Sequence, residues 1–103
     1  AFQSHTFSRT KELFNEFVDA FAHAQEVVMT DIFASAREAS DPSISSTILC
    51  EAIQAKYPHI KATNVGTNEK LAEYFKTELK PGDVFLTLGA GDIYEIYRKI
   101  IVV

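Results

Sequence analysis

The segment DVFLTLGAGD, Asp83–Asp92, contains the clearest strand of the sequence. Its first part, Asp83–Leu88, is rich in the branched and aromatic side chains that favour strands, and it follows a Pro-Gly turn. Gly89 and Gly91 then end the strand. Beyond them apolar residues recur at intervals of three and four, which predicts a helix that carries Ile93, Ile96, Tyr97 and Ile100. The segment therefore predicts a strand, a sharp turn and a helix.

The same alternation of strand and helix runs through the rest of the chain. We predict strands at residues 1–3, 26–33 and 60–65, and helices at 9–24, at 45–57 with Ser45 or Ser46 as its cap, and at 66–79. Repeated strand–helix–strand crossovers build a parallel sheet with helices on both faces. The sequence thus predicts an α/β fold of the Rossmann-like type, with a mostly parallel sheet in a three-layer αβα arrangement, as a single domain over residues 1–103.

Composition argues against several classes of protein. The net charge of -4 disfavours a dedicated nucleic-acid binder, which needs a basic surface. No apolar run is long enough to span a membrane and no leader is evident, so we expect neither membrane insertion nor secretion. The single cysteine, Cys50, fits a reducing cytoplasm and lies on the apolar face of its helix, as expected of a core residue rather than a nucleophile. The histidines and Cys50 lack the spacing of a zinc site, so no metal site is predicted.

Ligands of a parallel sheet bind at the edge formed by the carboxyl ends of its strands. This rule brings together the loops at residues 4–9, 34–40, 66–68 and 89–92. The positive side chains of His5, Arg9 and Arg37 fall in these loops of an otherwise acidic chain, so an anion is the expected ligand. The alternative is that Arg9 is simply solvated and that Arg37 pairs with Glu38.

The turn formed by Gly89, Ala90, Gly91 and Asp92 allows two interpretations. It resembles the start of a dinucleotide-binding motif, although Tyr94 occupies the place of the third glycine. Its backbone N–H groups could contact a phosphate or ribose, or its glycines could simply permit a sharp turn into the helix. No Ser-His-Asp, Cys-His or paired-carboxylate arrangement is legible, so no catalytic residue is predicted.

Three longer segments resemble a known family: FQSHTFSRTKELFNEF at residues 2–17, DIFASARE at 31–38 and LKPGDVFLTLGAGDIYEI at 79–96. Together they are similar to the C-terminal domain of the Mur ligases, and most similar to the members that add L-alanine in peptidoglycan biosynthesis. Such ligases have three domains. The resemblance implies that residues 1–103 are most of the C-terminal, amino-acid-binding domain, and that the central ATP-binding domain and the N-terminal UDP-binding domain are absent.

The resemblance also implies a reaction. A Mur ligase of this kind uses ATP and Mg²⁺ to convert the carboxylate of UDP-N-acetylmuramate to an acyl phosphate, which the amine of L-alanine then attacks. We therefore expect part of a cytoplasmic bacterial ligase whose partners are these small molecules, with the isolated fragment inactive and without a bound cofactor. The alternatives are a stand-alone α/β module that binds a small anion or nucleotide without catalysis, and a sister ligase for another amino acid.

The resemblance assigns the first loop to the amino acid substrate. It makes Arg9 the candidate to hold the alanine carboxylate, with His5 in support and Thr6 in the same loop. Ser4 replaces the usual proline of the family, and Thr6 stands where some relatives have a second arginine, a role that Arg37 could take over. The family's first helix is also missing, and a sheet face left uncovered in this way would make the fragment self-associate.

Overall fold

The computed structural model describes residues 1–34 and 38–100. Its strands are β1 (Phe2–Gln3), β2 (Glu26–Thr30), β3 (Lys61–Gly66) and β4 (Leu88–Gly89). Its helices are α1 (Phe7–Glu12), α2 (Phe14–Ala20), α3 (Ser46–Lys56), α4 (Asn68–Glu78) and α5 (Tyr97–Ile100), with a 3-10 helix, Asp92–Ile96, directly before α5. The strands pair in parallel in the order β3-β2-β1-β4, which confirms the predicted α/β fold. Within these ranges no helix is long and apolar enough to cross a membrane.

Two apolar clusters cover the two faces of the sheet. Because side chains alternate along a strand, Val27 and Met29 of β2 belong to one cluster and Val28 to the other. The first cluster also contains buried residues of α2, α3 and the approach to β3, namely Val18, Leu49, Cys50, Ile53 and Ile60. The second contains buried residues of α4 and the 3-10 helix, namely Leu71, Phe75, Ile93 and Ile96. Helices therefore lie on both faces, and the predicted three-layer arrangement is confirmed.

Side-chain caps determine where α3 and α4 begin. Ser45 Oγ accepts the N–H three residues further on at 3.1 Å, and Thr67 Oγ1 does the same for α4 at 3.2 Å. Ser46, the other candidate for the first cap, is buried and donates to the carbonyl of Thr30 at 2.6 Å. That bond ties the start of α3 to the carboxyl end of β2.

The first predicted helix, over residues 9–24, is wrong in its bounds. It is replaced by α1 and α2, which meet at Leu13, and the chain leaves the helix after Ala20. Leu13 has φ -103° and ψ 21°, away from helical values, and its side chain is 38% exposed. The two helices are held by different contacts. Thr10 of α1 donates to the carbonyl of Thr6 at the sheet edge, whereas the phenylalanines of α2 pack against the core.

The predicted strand at Asp83–Leu88 is also too long, because β4 comprises only Leu88–Gly89. Its neighbour is the short strand β1. The amine of Ala1 donates to the carbonyl of Leu86 at 2.7 Å and the N–H of Leu88 donates to the carbonyl of Ala1 at 2.8 Å. The parallel pairing joins Phe2 to Leu88 and Gln3 to Gly89. Val84, Leu86 and Leu88 are 88%, 65% and 50% exposed. We call these three residues the β4 strip.

Candidate functional site

The loops after β1 and β2 continue to contact one another beyond the sheet. Phe33 donates its N–H to the carbonyl of Ser4, and Thr6 donates its N–H to the carbonyl of Phe33, both at 2.8 Å. The imidazole of His5 stacks on the ring of Phe33, with 5.5 Å between centroids. β2, predicted to run to residue 33, ends at Thr30, and these contacts form an isolated parallel bridge instead. The predicted substrate loop is thus anchored to its neighbour by backbone and ring contacts.

Thr6 has a strained backbone, a feature that no pattern in the sequence predicts. Its φ of 63° and ψ of 144° lie outside the regions that a β-branched residue ordinarily adopts. Such a conformation costs of the order of 1–3 kcal/mol and persists only where surrounding contacts enforce it. Here the Thr6 carbonyl accepts the hydroxyl of Thr10 at 2.7 Å, and that hydroxyl is also hydrogen-bonded to Ser4 Oγ. Enforced strain of this kind is typical of functional sites.

Glu38 holds the start of α1, a role that sequence reasoning missed. Its Oε2 accepts the N–H of Phe7 and its Oε1 accepts the N–H of Ser8, each at 2.7 Å. These donors, Ser8 above all, hold the pKa of the Glu38 carboxyl below its usual value. The first N–H groups of any helix need acceptors, and the Thr6 side chain satisfies only that of Arg9. The need for further acceptors at the start of α1 can be read from the sequence, but nothing in the sequence identifies Glu38, thirty residues from Ser8, as the acceptor.

Arg9, one of the predicted cations, is the third residue of α1, and its side chain is exposed. Ion pairs within the described part of the chain join Lys11 to Asp41, Lys56 to Asp19, Lys61 to Glu26 and Lys99 to Glu69, and Arg9 takes part in none of them. Arg37 lies outside the described residues. The structure therefore places His5, Thr6 and Arg9 on one continuous segment, and the suggested contribution of Arg37 stays a prediction.

The glycines of the turn after β4 are fixed by packing. A Cβ atom at Gly89 would lie 2.9 Å from Ile93 Cγ2 and 3.0 Å from the carbonyl oxygen of Gln3. A Cβ atom at Gly91 would lie 3.0 Å from Gln3 Oε1 and 3.3 Å from the ring of Phe33. These close approaches favour the simple interpretation of the turn, in which glycine is needed to bring β4 against β1. Contact of Gly89, Ala90, Gly91 and Asp92 with a phosphate or ribose stays a prediction.

Polar side chains connect the remaining loops of this edge. Asp31, after β2, accepts the amide of Asn64 at 2.9 Å and donates its own N–H to the carbonyl of Gly66 at 2.8 Å. Asp92, after β4, accepts the amide of Asn68 at 3.0 Å. The loop after β2 is thus joined to the end of β3, and the start of α4 is joined to the segment after β4. Asp31 and Asn64 were not singled out from the sequence.

Unused hydrogen-bonding capacity is concentrated at this same edge. Within the described ranges, three buried side-chain oxygens have no protein partner: Gln3 Oε1, Thr30 Oγ1 and Asn68 Oδ1. Gln3 and Thr30 end β1 and β2, and Asn68 begins α4 directly after β3. Because buried polar atoms are normally paired, their position supports the carboxyl edge as the place where a polar ligand binds.

The cavity beside the sheet, the cysteine and the acidic side chains offer weaker candidates for a functional site. A cavity of about 510 Å³ is lined by the β4 strip and by aromatic side chains such as Phe2 and Phe75, and the carboxylates of Glu26 and Asp83 in its wall disfavour an anion. Burial of Cys50 raises the pKa of its thiol to about 12, so it is no nucleophile at neutral pH. Among the residues that the structure describes, no cluster of three or more His, Cys, Asp or Glu side chains could hold a metal ion.

Comparison with curated proteins gives matches along nearly all of the chain. It is 48% identical over 98 residues to the UDP-N-acetylmuramate--L-alanine ligase of Clostridium botulinum (strain Eklund 17B / Type B), which covers 95% of the chain and 21% of that protein. The protein of the same name from Desulfitobacterium hafniense (strain Y51) is 43% identical over 100 residues, 97% of the chain and 22% of that protein. The chain spans about a fifth of the length of these relatives. No family model matches it.

Proposed function

Because the chain belongs, as a fragment, to the family of the UDP-N-acetylmuramate--L-alanine ligases, we propose that it is most of the amino-acid-binding C-terminal domain of such an enzyme. The whole protein would join L-alanine to UDP-N-acetylmuramate in the cytoplasm of a bacterium, as a step of peptidoglycan biosynthesis. The names of the relatives support this reaction, and the match over 92–97% of the chain supports its assignment to one continuous part of the protein.

ATP and Mg²⁺, which the family implies, do not fit the residues of this chain. The sequence has no G-x-x-x-x-G-K-[ST] loop for the phosphates, and its described residues form no group of three metal ligands. The turn after β4 is packed against β1. We therefore place nucleotide binding and carboxylate activation in the parts of the protein that lie outside this chain, and we assign no step of that chemistry to its residues.

The contribution of this chain is to bind and orient the amino acid. The carboxylate of L-alanine is negative at neutral pH, and an arginine can bind it through two parallel hydrogen bonds. Arg9 is exposed at the carboxyl edge, close in sequence to the strained residue Thr6, with His5 stacked on Phe33 beside it. The observation that carries the proposal is this enforced geometry of the loop, since catalysis of amide formation depends on holding the amine in line with its target.

The test uses the full-length protein with ATP, Mg²⁺ and UDP-N-acetylmuramate, and measures phosphate release with L-alanine, L-serine, glycine or D-glutamate. We expect turnover to prefer L-alanine. Substitution Arg9→Ala should raise the KM for L-alanine by about 10- to 100-fold, the range expected when a hydrogen-bonded ion pair is lost. Lys11→Ala, which removes another exposed cation of α1, is the matched control and should leave that KM unchanged.

Three outcomes would contradict the proposal in different ways. If Arg9→Ala turned over L-alanine with an unchanged KM, the reaction would stand and the carboxylate contact would lie elsewhere. Turnover with none of the amino acids would reject the ligase and leave the stand-alone anion-binding module. A preference for D-glutamate or another amino acid would indicate a sister ligase, because such preference depends on the shape of the pocket.

A further inference from the structure

We propose that Glu38 is a positioning residue that fixes the loop from His5 to Arg9, so that Arg9 is held ready for the carboxylate of the amino acid. The inference rests on the function proposed above and goes beyond it, since Glu38 itself does not touch the substrate. It is carried by the two hydrogen bonds that the carboxylate accepts from consecutive backbone N–H groups, those of Phe7 and Ser8.

The contact needs both oxygens of a carboxylate. Each oxygen accepts one N–H at 2.7 Å, a length typical of hydrogen bonds to a charged acceptor. A glutamine at position 38 would present one oxygen and one NH₂ group, so one N–H would face another donor. An aspartate would keep both oxygens and the charge on a side chain shorter by one methylene. The glutamine variant therefore tests the charge and the number of acceptor oxygens, and the aspartate variant tests the length of the side chain.

The position of the contact explains why it matters for Arg9. The two N–H groups follow directly after Thr6, whose left-handed φ costs free energy to maintain. Without Glu38, Thr6 would keep its contacts with Phe33 and Thr10, but the N–H groups of the next two residues would lose their acceptors. Relaxation of Thr6 toward ordinary φ values would turn the first residues of α1, and Arg9 with them. A small displacement of a binding group is sufficient to impair catalysis.

Glu38 also determines which groups remain for a ligand. The N–H groups of Phe7 and Ser8 are backbone donors at the start of α1, and each donates to a Glu38 oxygen. With Glu38 in place they are occupied, and the guanidinium of Arg9 is left as the charged donor of this segment.

The test compares the full-length protein with its variants Glu38→Gln and Glu38→Asp. We expect Glu38→Gln to raise the KM for L-alanine about tenfold, as for loss of one charge-assisted hydrogen bond, with the KM for ATP and for UDP-N-acetylmuramate unchanged. Glu38→Asp should fall between wild type and Glu38→Gln. Asp83→Asn is the matched control, because that carboxylate also accepts a backbone N–H, from Lys80 at 2.9 Å, in the turn before β4.

A second measurement is independent of activity. Amide hydrogen exchange over residues 6–12 should be faster in Glu38→Gln than in wild type, and unchanged in Asp83→Asn. Wild-type KM and wild-type exchange in Glu38→Gln would overturn the inference, as would an equal rise in the KM of all three substrates, which indicates general loss of structure. If the wild-type protein fails to use any amino acid, the proposed function fails, while faster exchange would still establish Glu38 as the residue that holds this loop.

Discussion

The two halves of the sheet hold their shape in different ways. β2 and β3 pair along their full length, from Glu26 with Lys61 to Thr30 with Gly66, and four of the five residues of β2 are buried. β1 and β4 are two residues long, and the β4 strip is exposed. The candidate site begins in the loop after β1, in the half with the shorter strands. There, side chains such as Glu38 and Thr10 fix the loop, rather than backbone pairing between strands. The comparison separates residues that maintain the fold from residues that arrange the site.

The largest difference between the halves should appear in core truncation. Ile53 of α3 is fully buried against β2 and β3, so Ile53→Ala should lower the free energy of unfolding by about 2–5 kcal/mol. Leu88→Ala in β4 removes a half-exposed side chain and should cost less than about 1 kcal/mol. Urea denaturation of the two variants measures both values. Equal losses would mean that the shorter half supports the fold as strongly as the longer one.

A smaller loss is expected where β4 approaches β1. Gly89→Ala would place a methyl group 2.9 Å from Ile93 Cγ2 and 3.0 Å from a backbone oxygen of Gln3, and overpacking of this kind costs about 1–3 kcal/mol. The exposed neighbour Ala90 provides the control, since Ala90→Ser should change stability by no more than about 0.5 kcal/mol. Thermal unfolding distinguishes them. A neutral Gly89→Ala would remove the packing explanation for this turn and favour a ligand contact.

The sequence was most informative about the better-paired half. β3 was predicted within one residue at each end. α3 begins directly after Ser45, one of its two predicted caps, and α4 begins two residues after its predicted start, because hydrophobic periodicity, capping and turn residues all agree there. The resemblance to Mur ligases is likewise confirmed, by relatives 43–48% identical to the chain. DVFLTL has the composition of a strand, yet pairing needs a neighbour of equal length, and β1 does not supply one.

The candidate site was predicted only in part. The loop of His5 and Arg9 was proposed from its cations and from the family resemblance, both of which depend on residues close together along the chain. The conformation of Thr6 and the hydrogen bonds of Glu38 and Asp31 depend on residues about thirty positions apart. Hydrophobic periodicity does not predict contacts between residues so far apart, because the loops that carry them meet only in the folded sheet. Secondary structure follows local patterns, whereas the supports of a site follow tertiary placement.

The exposed strip should also affect association. An apolar edge without a neighbour is an adhesive surface, so we expect the 103-residue chain to self-associate through Val84, Leu86 and Leu88. The double substitution Val84→Lys and Leu86→Lys should weaken this association by about tenfold, because like charges then face one another. Sedimentation equilibrium measures it, with Ile48→Lys on exposed α3 surface as the control. A stable monomer at high concentration would show that this edge is not adhesive.

The smallest effect we expect is the pH dependence that Glu38 contributes. Its pKa is lowered in the folded chain, above all by the N–H of Ser8, so its stabilising contribution is complete well above the ordinary value of 4.5. Below 4.5 the unfolded chain takes up the proton first, and the contribution declines with falling pH until it is lost below the folded pKa. The melting temperature of wild type should therefore exceed that of Glu38→Gln at pH 7, with the difference shrinking below pH 4.5.

Asp19 and Asp41 also have lowered pKa values, through the Lys56 side chain and through Ser43 respectively. Because wild type and Glu38→Gln share both residues, their effects cancel in the difference between the two melting temperatures. A difference in melting temperature that is the same at pH 3 and pH 7 would mean that the charge of Glu38 is not what holds the loop. A difference that vanishes in acid would tie the arrangement of the shorter half to one ionised side chain, whereas the buried apolar contacts of the longer half carry no such charge.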